Sequence, residues 1–339
     1  MNRPPDRLFV TKMASRLMFR ALLLTVVAYC SVYAESFAAG PRIGLLSPTT
    51  QENSASVLAG LRQGLREHGY VEGTNIAIES RFADNQFDRL PELARELIGL
   101  PVDVLVTFVT EASIAAKDNT KTIPIVMVGV SDPVASNLVS SLSHPGGNVT
   151  GTAGMYSDGA GKRLQLLKEA APGIQRAAVI WNPTNRVFQQ QVIRETEAAA
   201  QQLGIRLQMF EARDLASIER VFATISNERA LGLNILPDPT LGSHAPRIAA
   251  LAEKARLPSV GAGAAFAEAG GLIGYGPSLY ELAHNAGGYV ARILRGAKPE
   301  DLPVEQPSKF EFVVNMKTAK QIGLNIPESL RARADRLIE

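Results

Sequence analysis

The sequence predicts an α/β protein in which two lobes, each built on an open parallel sheet, face each other across a cleft. Two stretches of the 339-residue chain, 42–150 and 177–274, alternate short apolar runs with amphipathic helices in the same rhythm. Such alternation is typical of parallel, doubly wound sheets. The helix and strand that follow are too few for a third domain, so we expect them to return and complete the two lobes.

The first stretch contains four predicted strands separated by helices. Apolar or alternating runs place the strands at 42–46, 75–81, 102–108 and 123–130. The last run is almost entirely apolar, as expected of a strand covered on both faces. Apolar residues at helical spacing predict the helices 55–68, 89–98 and 111–117.

The second stretch repeats this order. Strands are predicted at 177–181, 206–211 and 231–236, and a further one begins at 259. Helical spacing predicts helices at 188–203, 218–226 and 244–255. The helix 279–294 and the strand 310–315 are the elements that we expect to return to the two lobes.

The N-terminus has the pattern of a secretory signal. Basic residues precede the apolar run 21–28, and small residues follow, so that cleavage fits after Ala34 or Ala38. We predict a signal peptide over residues 1–38 and export to the periplasm; an uncleaved anchor is the alternative. Cys30, the only cysteine, would be acylated in a lipoprotein, but Tyr29 stands where such a site requires a small residue.

Composition excludes several classes of function. Five basic and two acidic residues fall within residues 1–38, which leaves 30 basic and 31 acidic residues and a net charge of −1. Near neutrality argues against a nucleic-acid partner. Without Cys30 the chain has no thiol for a disulfide, a nucleophile or a metal site. The four histidines lack metal-ligand spacing, so we predict neither a metal nor a cofactor.

Enzyme motifs fail at the positions where they come nearest. The segment 154–162 lacks the Lys-Ser/Thr ending of a phosphate loop, and 261–266 has Phe266 where a dinucleotide fingerprint needs its third glycine. The nucleophile elbow G-x-S-x-G does not occur. We therefore expect a protein that captures a solute and not an enzyme.

Polar side chains follow most of the predicted strands. In open α/β sheets, ligands bind outside the carboxyl ends of the strands. The loops at these ends carry small hydroxyl, amide or carboxylate side chains, and they are 47–49, 107–111, 131–133, 182–184, 237–239 and 261–266. An ordinary capped turn explains any one such loop. Several on one face of two lobes favour a binding cleft.

A series of motifs resembles one known family across residues 42–339. In chain order they are LRQGLREHGYVEG (61–73), IPIV (123–126), VSDPV (130–134), PGGNVTG (145–151), LPDP (236–239), AGGL (269–272), YGP (275–277), LPVEQP (302–307) and KFEFVVN (309–315). Their order and spacing resemble ABC-transporter substrate-binding proteins of the tryptophan/tyrosine-binding type.

The resemblance implies the type I periplasmic binding protein fold, with two Rossmann-like lobes that close on a solute by a hinge. Lobe 1 would comprise 42–153 and about 277–307, and lobe 2 would comprise 157–274 and about 310–339. Crossings would fall near 151–156, 275–278 and 309–315. The implied partners are a small solute and a membrane permease with its ATPase, and the protein itself would be a monomer.

The resemblance also implies site residues, carried over loop by loop. From lobe 1 these are Ser47, Thr107, Thr110, Ser131 and Asp132; from lobe 2 they are Asn182, Asp238 and Phe266; Tyr156 and Tyr275 lie beside the crossings. Asp132 and Asp238 could each bind an ammonium group through a charge-assisted hydrogen bond. For Asp132, capping of a helix that follows Pro133 is the favoured alternative.

Two departures from the family pattern fall in these loops. Thr110-Glu111-Ala112 stands where relatives have a Thr-Pro-Ala-like loop, and Gly261-Ala262-Gly263 stands where they often have an aromatic residue. The expected ligand is therefore an amino-acid-like, aromatic or other small organic solute. An exported sensing module and an exported enzyme with the same cleft are the alternatives; adjacent permease genes or measured turnover would separate them.

Overall fold

The computed structural model describes residues 40–184, 186–228 and 231–339, so the predicted signal peptide, 1–38, lies outside the described residues. In these ranges the chain forms two sheets, one of five and one of seven strands. None of the described helices combines the length and the apolar character needed to cross a membrane.

The first sheet is entirely parallel. In chain order its strands are β1 (Arg42–Ser47), β2 (Ala77–Phe82), β3 (Val104–Phe108), β4 (Ile125–Val130) and β5 (Val149–Ala153), arranged β2-β1-β3-β4-β5. Helix α1 (Ala55–Glu67) covers one face, and α2 (Leu90–Ile98) and α3 (Val109–Asn119) cover the other. Strands β3 and β4 are buried along their whole length, which explains why β4 is apolar throughout and why Thr107 is the one polar residue of β3.

The second sheet has one antiparallel pair. Its strands are β6 (Arg176–Trp181), β7 (Arg206–Glu211), β8 (Gly232–Ile235), β9 (Ser259–Gly261), β10 (Ile273–Gly276), β11 (Glu311–Asn315) and β12 (Arg336–Ile338), in the order β12-β11-β10-β9-β8-β6-β7. Strands β10 and β11 are antiparallel, whereas the other pairs are parallel. The connecting helices are α4 (Ala160–Ala170), α5 (Arg186–Leu203), α6 (Leu215–Glu228), α7 (Pro239–Ser243), α8 (Ala245–Lys254) and α9 (Ala264–Glu268).

The C-terminal part returns to both sheets. Helix α10 (Leu279–Leu294) leaves the second sheet after β10 and packs along α1 over the first sheet. Glu305 then pairs with β5, because its N–H donates to the Gly151 carbonyl at 2.9 Å and its carbonyl accepts from the Ala153 N–H at 2.8 Å. The chain crosses back as β11, followed by α11 (Met316–Ile322), α12 (Glu328–Arg331) and β12.

The observed architecture confirms the predicted fold class. Strands β5, β10 and β12 and helices α4, α7, α9, α11 and α12 have no counterpart among the predicted elements. In β10 the cause is its composition, IGYG, which has little apolar patterning. A Cβ on Gly274 would collide with the Gly263 carbonyl, so close packing explains that glycine. The exact bounds of the lobes and crossings stay a prediction.

Candidate functional site

A cavity of about 410 Å³ lies at the carboxyl ends of strands from both sheets. The loops after β1, β3 and β4 form one wall, and the loops after β8 and β9 form the other. Tyr156, from the segment that follows β5, and Leu279, from the start of α10, complete the lining. Parallel strands end at the same sheet edge, so each sheet presents several loops to one space.

Hydroxyl groups form the first-sheet wall beyond β1. Ser54 Oγ lies 2.9 Å from both Ser47 Oγ and Thr49 Oγ1, so the three side chains share hydrogen bonds. Beyond β3 and β4, the Ser131 N–H donates to Thr110 Oγ1 at 3.3 Å. These hydroxyls line the cavity and can both donate to and accept from a polar solute.

Val109 has a left-handed backbone, with φ at 58°. A β-branched residue rarely adopts this conformation because its side chain crowds the backbone. Val109 is the first residue of α3 and lies on the cavity wall, beside Thr110 and Glu111. Strain of this kind persists where the surrounding structure requires it, and it clusters at functional sites.

Glu111 places a buried carboxylate on the same wall. Its Oε1 is buried and has no hydrogen-bond partner. Desolvation is the main cause that raises the pKa of Glu111 to about 7; a hydrogen bond from its own backbone acts in the opposite direction, and the charge of Asp238 adds a smaller increase. The carboxyl therefore changes charge near neutral pH.

Asp238 lies on the opposite wall, immediately after β8, and is buried. Its Oδ1 accepts from Asn182 Nδ2 at 3.1 Å and from the Leu241 N–H at 3.0 Å, which makes it the N-cap of α7. The preceding carbonyl, of Pro237, accepts from Gln189 Nε2 at 2.9 Å. The carboxylate is thus fixed in position by both the cap and the amide.

The rest of the second wall is mainly apolar. Ile235, Leu236 and Phe266 contribute, and Phe266 is 4% exposed. The Phe266 ring packs into space left by two glycines, because a Cβ on Gly261 would come within 2.5 Å of it and one on Gly271 would overlap it. Ala262, beside Gly261, contributes only a methyl group to this part of the lining.

A buried guanidinium group, that of Arg163, contacts the backbone of Tyr156. Arg163 is 0% exposed, and its Nη2 donates to the Tyr156 carbonyl at 3.2 Å. Burial lowers the pKa of Arg163 to about 10, which keeps it cationic at neutral pH, and raises the pKa of Tyr156. Arg163 fixes the segment between the two sheets without lining the cavity.

Six of the ten predicted site residues line this cavity: Ser47, Thr110, Ser131, Tyr156, Asp238 and Phe266. Contact between these residues and a ligand stays a prediction.

The other four do not belong to the lining of the cavity. Thr107 Oγ1 is paired with Ser113 Oγ at 2.8 Å beneath α3. Asp132 Oδ1 accepts from the Val134 and Ala135 N–H groups and so caps a turn; the helix expected after Pro133 was a wrong prediction, because the chain forms only turns there. Asn182 supports Asp238, and Tyr275 packs edge-on against Phe310 and Phe312. Direct ligand contact by these four stays a prediction.

Sequence reasoning placed Thr49, Val109 and Glu111 in predicted binding loops but did not name them, or Ser54, as site residues. All four line the cavity. The signal for Glu111 was its departure from the Thr-Pro-Ala-like pattern. Among the described residues, no group of three or more His, Cys, Asp or Glu side chains is placed to hold a metal ion.

Comparison with known protein families and curated proteins finds ligand-binding proteins in both cases. The family model described as ABC transporter substrate binding protein matches residues 42–338. A tyrosine-binding protein of Clostridioides difficile is 26% identical over 265 residues, which cover 78% of this chain and 76% of that protein.

Solved structures are also similar. A conserved domain protein from Vibrio cholerae is 29% identical with a TM-score of 0.81, over 88% of this chain and 100% of that one. An ABC domain from Streptococcus pneumoniae in complex with L-Trp has a TM-score of 0.81 at 24% identity, over the same shares of the two chains. The ligand-free, open structure of a substrate-binding protein from Clostridium difficile has a TM-score of 0.65 at 25% identity, over 88% and 99%.

Proposed function

This chain belongs to the ABC transporter substrate binding protein family, and we propose that it is the periplasmic solute-binding component of an ABC importer. It captures a small organic solute in the cavity between the two sheets and delivers it to a permease that is driven by an ATPase. The signal pattern of residues 1–38 supports export. The proposed protein acts as a monomer and needs no cofactor.

The observation that carries this proposal is the cavity whose walls come from both sheets. Its volume of about 410 Å³ suits a solute of amino-acid or small aromatic size, because ligand pockets span about 300–1,000 Å³. Hydroxyls on one wall and apolar side chains on the other suit a molecule with a polar end and an apolar body. The tyrosine-binding relative and the L-Trp complex support an amino-acid-like or aromatic solute.

A contact between loops of the two sheets supports closure around the solute. Ser243 Oγ, at the end of α7, donates to Asn85 Oδ1 after β2 at 2.9 Å. The predicted crossings near 151–156, 275–278 and 309–315 would serve as the hinge that opens and closes this contact. A few residues at element ends are sufficient for such a motion.

Capture without turnover fits the lining better than catalysis. The described residues that line the cavity include carboxyl and hydroxyl groups but no histidine, lysine or cysteine. A hydroxyl nucleophile needs a neighbouring base to be activated, and the hydroxyls here bond to one another. Enzymatic activity is thus only the second candidate function. Incubating the protein with the solute that binds and measuring product tests it.

A thermal-shift screen of the chain from residue 39 onwards tests the proposal. The panel comprises amino acids, amines, aromatic acids, nucleosides and small sugars. A solute that binds the folded chain stabilises it by about 2.7 kcal/mol at a hundredfold excess over its Kd, which raises Tm by several degrees. We expect one chemical class to do so, and the best solute to emerge unchanged after incubation.

The variant Asp238→Asn tests whether the solute-dependent rise in Tm comes from binding in the cavity. Asparagine caps a helix about as well as aspartate and can keep the bonds from Asn182 and Leu241, but it removes the negative charge. We expect an unchanged Tm without solute and a loss of most of the shift given by an ammonium-bearing solute. A full shift in Asp238→Asn would place such a ligand elsewhere.

A further inference from the structure

A loop of the first sheet meets a helix of the second sheet beside the cavity. Asn85, in the loop after β2, accepts a hydrogen bond of 2.9 Å at its Oδ1 from Ser243 Oγ, at the end of α7. Helix α7 lies along the cavity, because Leu241, Gly242 and Ser243 all contribute to the lining. The hydrogen bond therefore joins the two sheets next to the space that we assign to the solute.

The Asn85 side of this contact has a strained backbone. Asp84 and Asn85 are consecutive left-handed residues, with φ at 54° and 64°. Asparagine and aspartate tolerate this conformation better than other side chains, but it still carries a cost. The Asn85 N–H donates to the Pro48 carbonyl at 2.8 Å, and Arg89 Nη1 donates to Asp84 Oδ2 at 3.0 Å. The first sheet and its loops thus hold Asn85 in position without help from the second sheet.

Ser243 has a second acceptor within reach. Its Oγ lies 2.8 Å from the carbonyl oxygen of Pro239, in the same helix. A serine hydroxyl has one hydrogen to donate, so the two acceptors compete for it. When the two loops separate, the hydroxyl bonds to Pro239 alone, and its donor stays satisfied. The contact with Asn85 can therefore form and break without the penalty of an unpaired donor.

We propose, as an extension that rests on the proposed function, that Asn85 and Ser243 form a latch that holds the cavity closed. Their hydrogen bond exists only while the two loops meet, so it stabilises the closed arrangement and not the open one. A solute enters and leaves through the open form. The latch therefore slows the exchange of solute between the cavity and the solvent.

A single thiol in the cavity wall measures opening without any solute. From residue 39 onwards the chain has no cysteine, so Ser131→Cys introduces the only one. Ser131 lines the cavity and is 4% exposed, so a bulky maleimide reaches the new thiol only when the cavity opens. The rate of labelling then follows the population of the open form.

Removal of either partner of the latch should speed this labelling. In the Ser131→Cys background, we expect Asn85→Gly and Ser243→Ala each to label about threefold to tenfold faster, the effect of one hydrogen bond between neutral groups. Glycine keeps the left-handed backbone without cost, so the loop retains its shape. The double variant should label no faster than the faster single variant, because both changes remove the same bond. Unchanged rates, or effects that multiply in the double variant, overturn the latch.

Two further variants are matched controls in the same background. Asn85→Asp keeps an acceptor for the Ser243 hydroxyl and tolerates the same backbone, so its labelling should stay slow. Asp84→Gly changes the neighbouring left-handed residue, whose carboxylate pairs with Arg89 on the same side of the cavity, and should also label at the background rate. If Asp84→Gly labels as fast as Asn85→Gly, the loop as a whole controls opening and the latch is contradicted.

The latch and the proposed function fail separately. Labelling is measured without solute, so rates that the variants leave unchanged overturn the latch while solute capture stands. A thermal-shift screen in which no solute raises Tm contradicts solute capture, whereas a latch that holds the cavity closed would still show in the labelling rates.

Discussion

At the residue scale, Glu111 is the side chain whose environment departs furthest from that of a surface glutamate. Its burial raises the pKa from 4.5 to about 7. Between these two values the folded chain binds more protons than the unfolded chain, so the free energy of unfolding falls as pH rises through that window. This is the opposite of an ion-paired carboxylate, whose contribution to stability grows with pH.

Glu111→Gln should therefore stabilise the solute-free protein at pH 8 and have little effect at pH 5. We expect a gain of about 3 kcal/mol at the higher pH, since each pKa unit corresponds to about 1.4 kcal/mol and the pKa rises from 4.5 to about 7. Denaturant unfolding at both pH values measures the gain, with Glu92→Gln, at an exposed glutamate of α2, as the control. An equal effect of Glu111→Gln at the two pH values would show that the carboxyl titrates as an ordinary glutamate.

The sequence predicted the position of the binding loops through one rule, that ligands bind outside the carboxyl ends of parallel strands. The carboxyl ends of parallel strands pointed to the loops 47–49, 107–111, 131–133 and 237–239, and each of these loops contributes residues to the lining of the cavity. The individual site residues came from the family resemblance, and their contact with a ligand stays a prediction. The rule predicts the edge of the sheet at which a ligand binds, but it does not predict which way a side chain points. Thr107, one residue inside the end of β3, faces Ser113 and not the cavity. Glu111 lies in the first turn of α3, where an acidic residue also suits the helix dipole, so its position alone did not indicate a site.

At the scale of elements, close packing of α1 against α10 joins the returning C-terminal part to the first sheet. Gly60 and Gly64 of α1 face α10, and a Cβ on either would collide with a backbone carbonyl of α10. Gly287 of α10 faces α1 in turn, where a Cβ would come 2.6 Å from the Gly64 carbonyl carbon. The two backbones thus approach more closely than alanine would allow.

Adjacent glycines of α10 give a matched pair of variants. Gly287→Ala should destabilise the protein by about 1–3 kcal/mol, because the neighbour is backbone and cannot move aside. Gly288→Ala meets only the His68 ring at 3.3 Å and gains helix propensity, so it should change stability by less than about 1 kcal/mol. Equal stability of the two variants in urea would contradict the tight helix contact.

Strands and helices were predicted correctly where their own residues show an apolar pattern. Strand β4 is apolar throughout, and β3 is apolar except for Thr107, because both faces of each strand are covered. By contrast, β5 reads VTGTA and β10 reads IGYG, so their strand character comes from their neighbours. Strand β10 pairs with β9 and β11, and β5 pairs with β4 and the segment around Glu305, which no local pattern could indicate.

At the scale of the whole molecule, the chain joins the two sheets through the segments after β5, after β10 and before β11. Arg163 holds the first of these through the Tyr156 carbonyl, and Tyr156 also lines the cavity. The cavity therefore lies beside the segments that we propose as the hinge. The two-lobe architecture was predictable from the repeated rhythm of the sequence, but the shape of the cavity was not, because it depends on how the loops of both sheets meet.

The central claim is that a solute binds between the two sheets, and the most direct measurement is isothermal titration of the best solute with the wild type and with Ala262→Trp. Ala262 lines the cavity and is partly exposed, so the indole would occupy space that the solute needs. The account predicts binding of one solute per chain in the wild type and an affinity at least about tenfold lower in Ala262→Trp, at an unchanged Tm without solute. An equal affinity in the two proteins would contradict it.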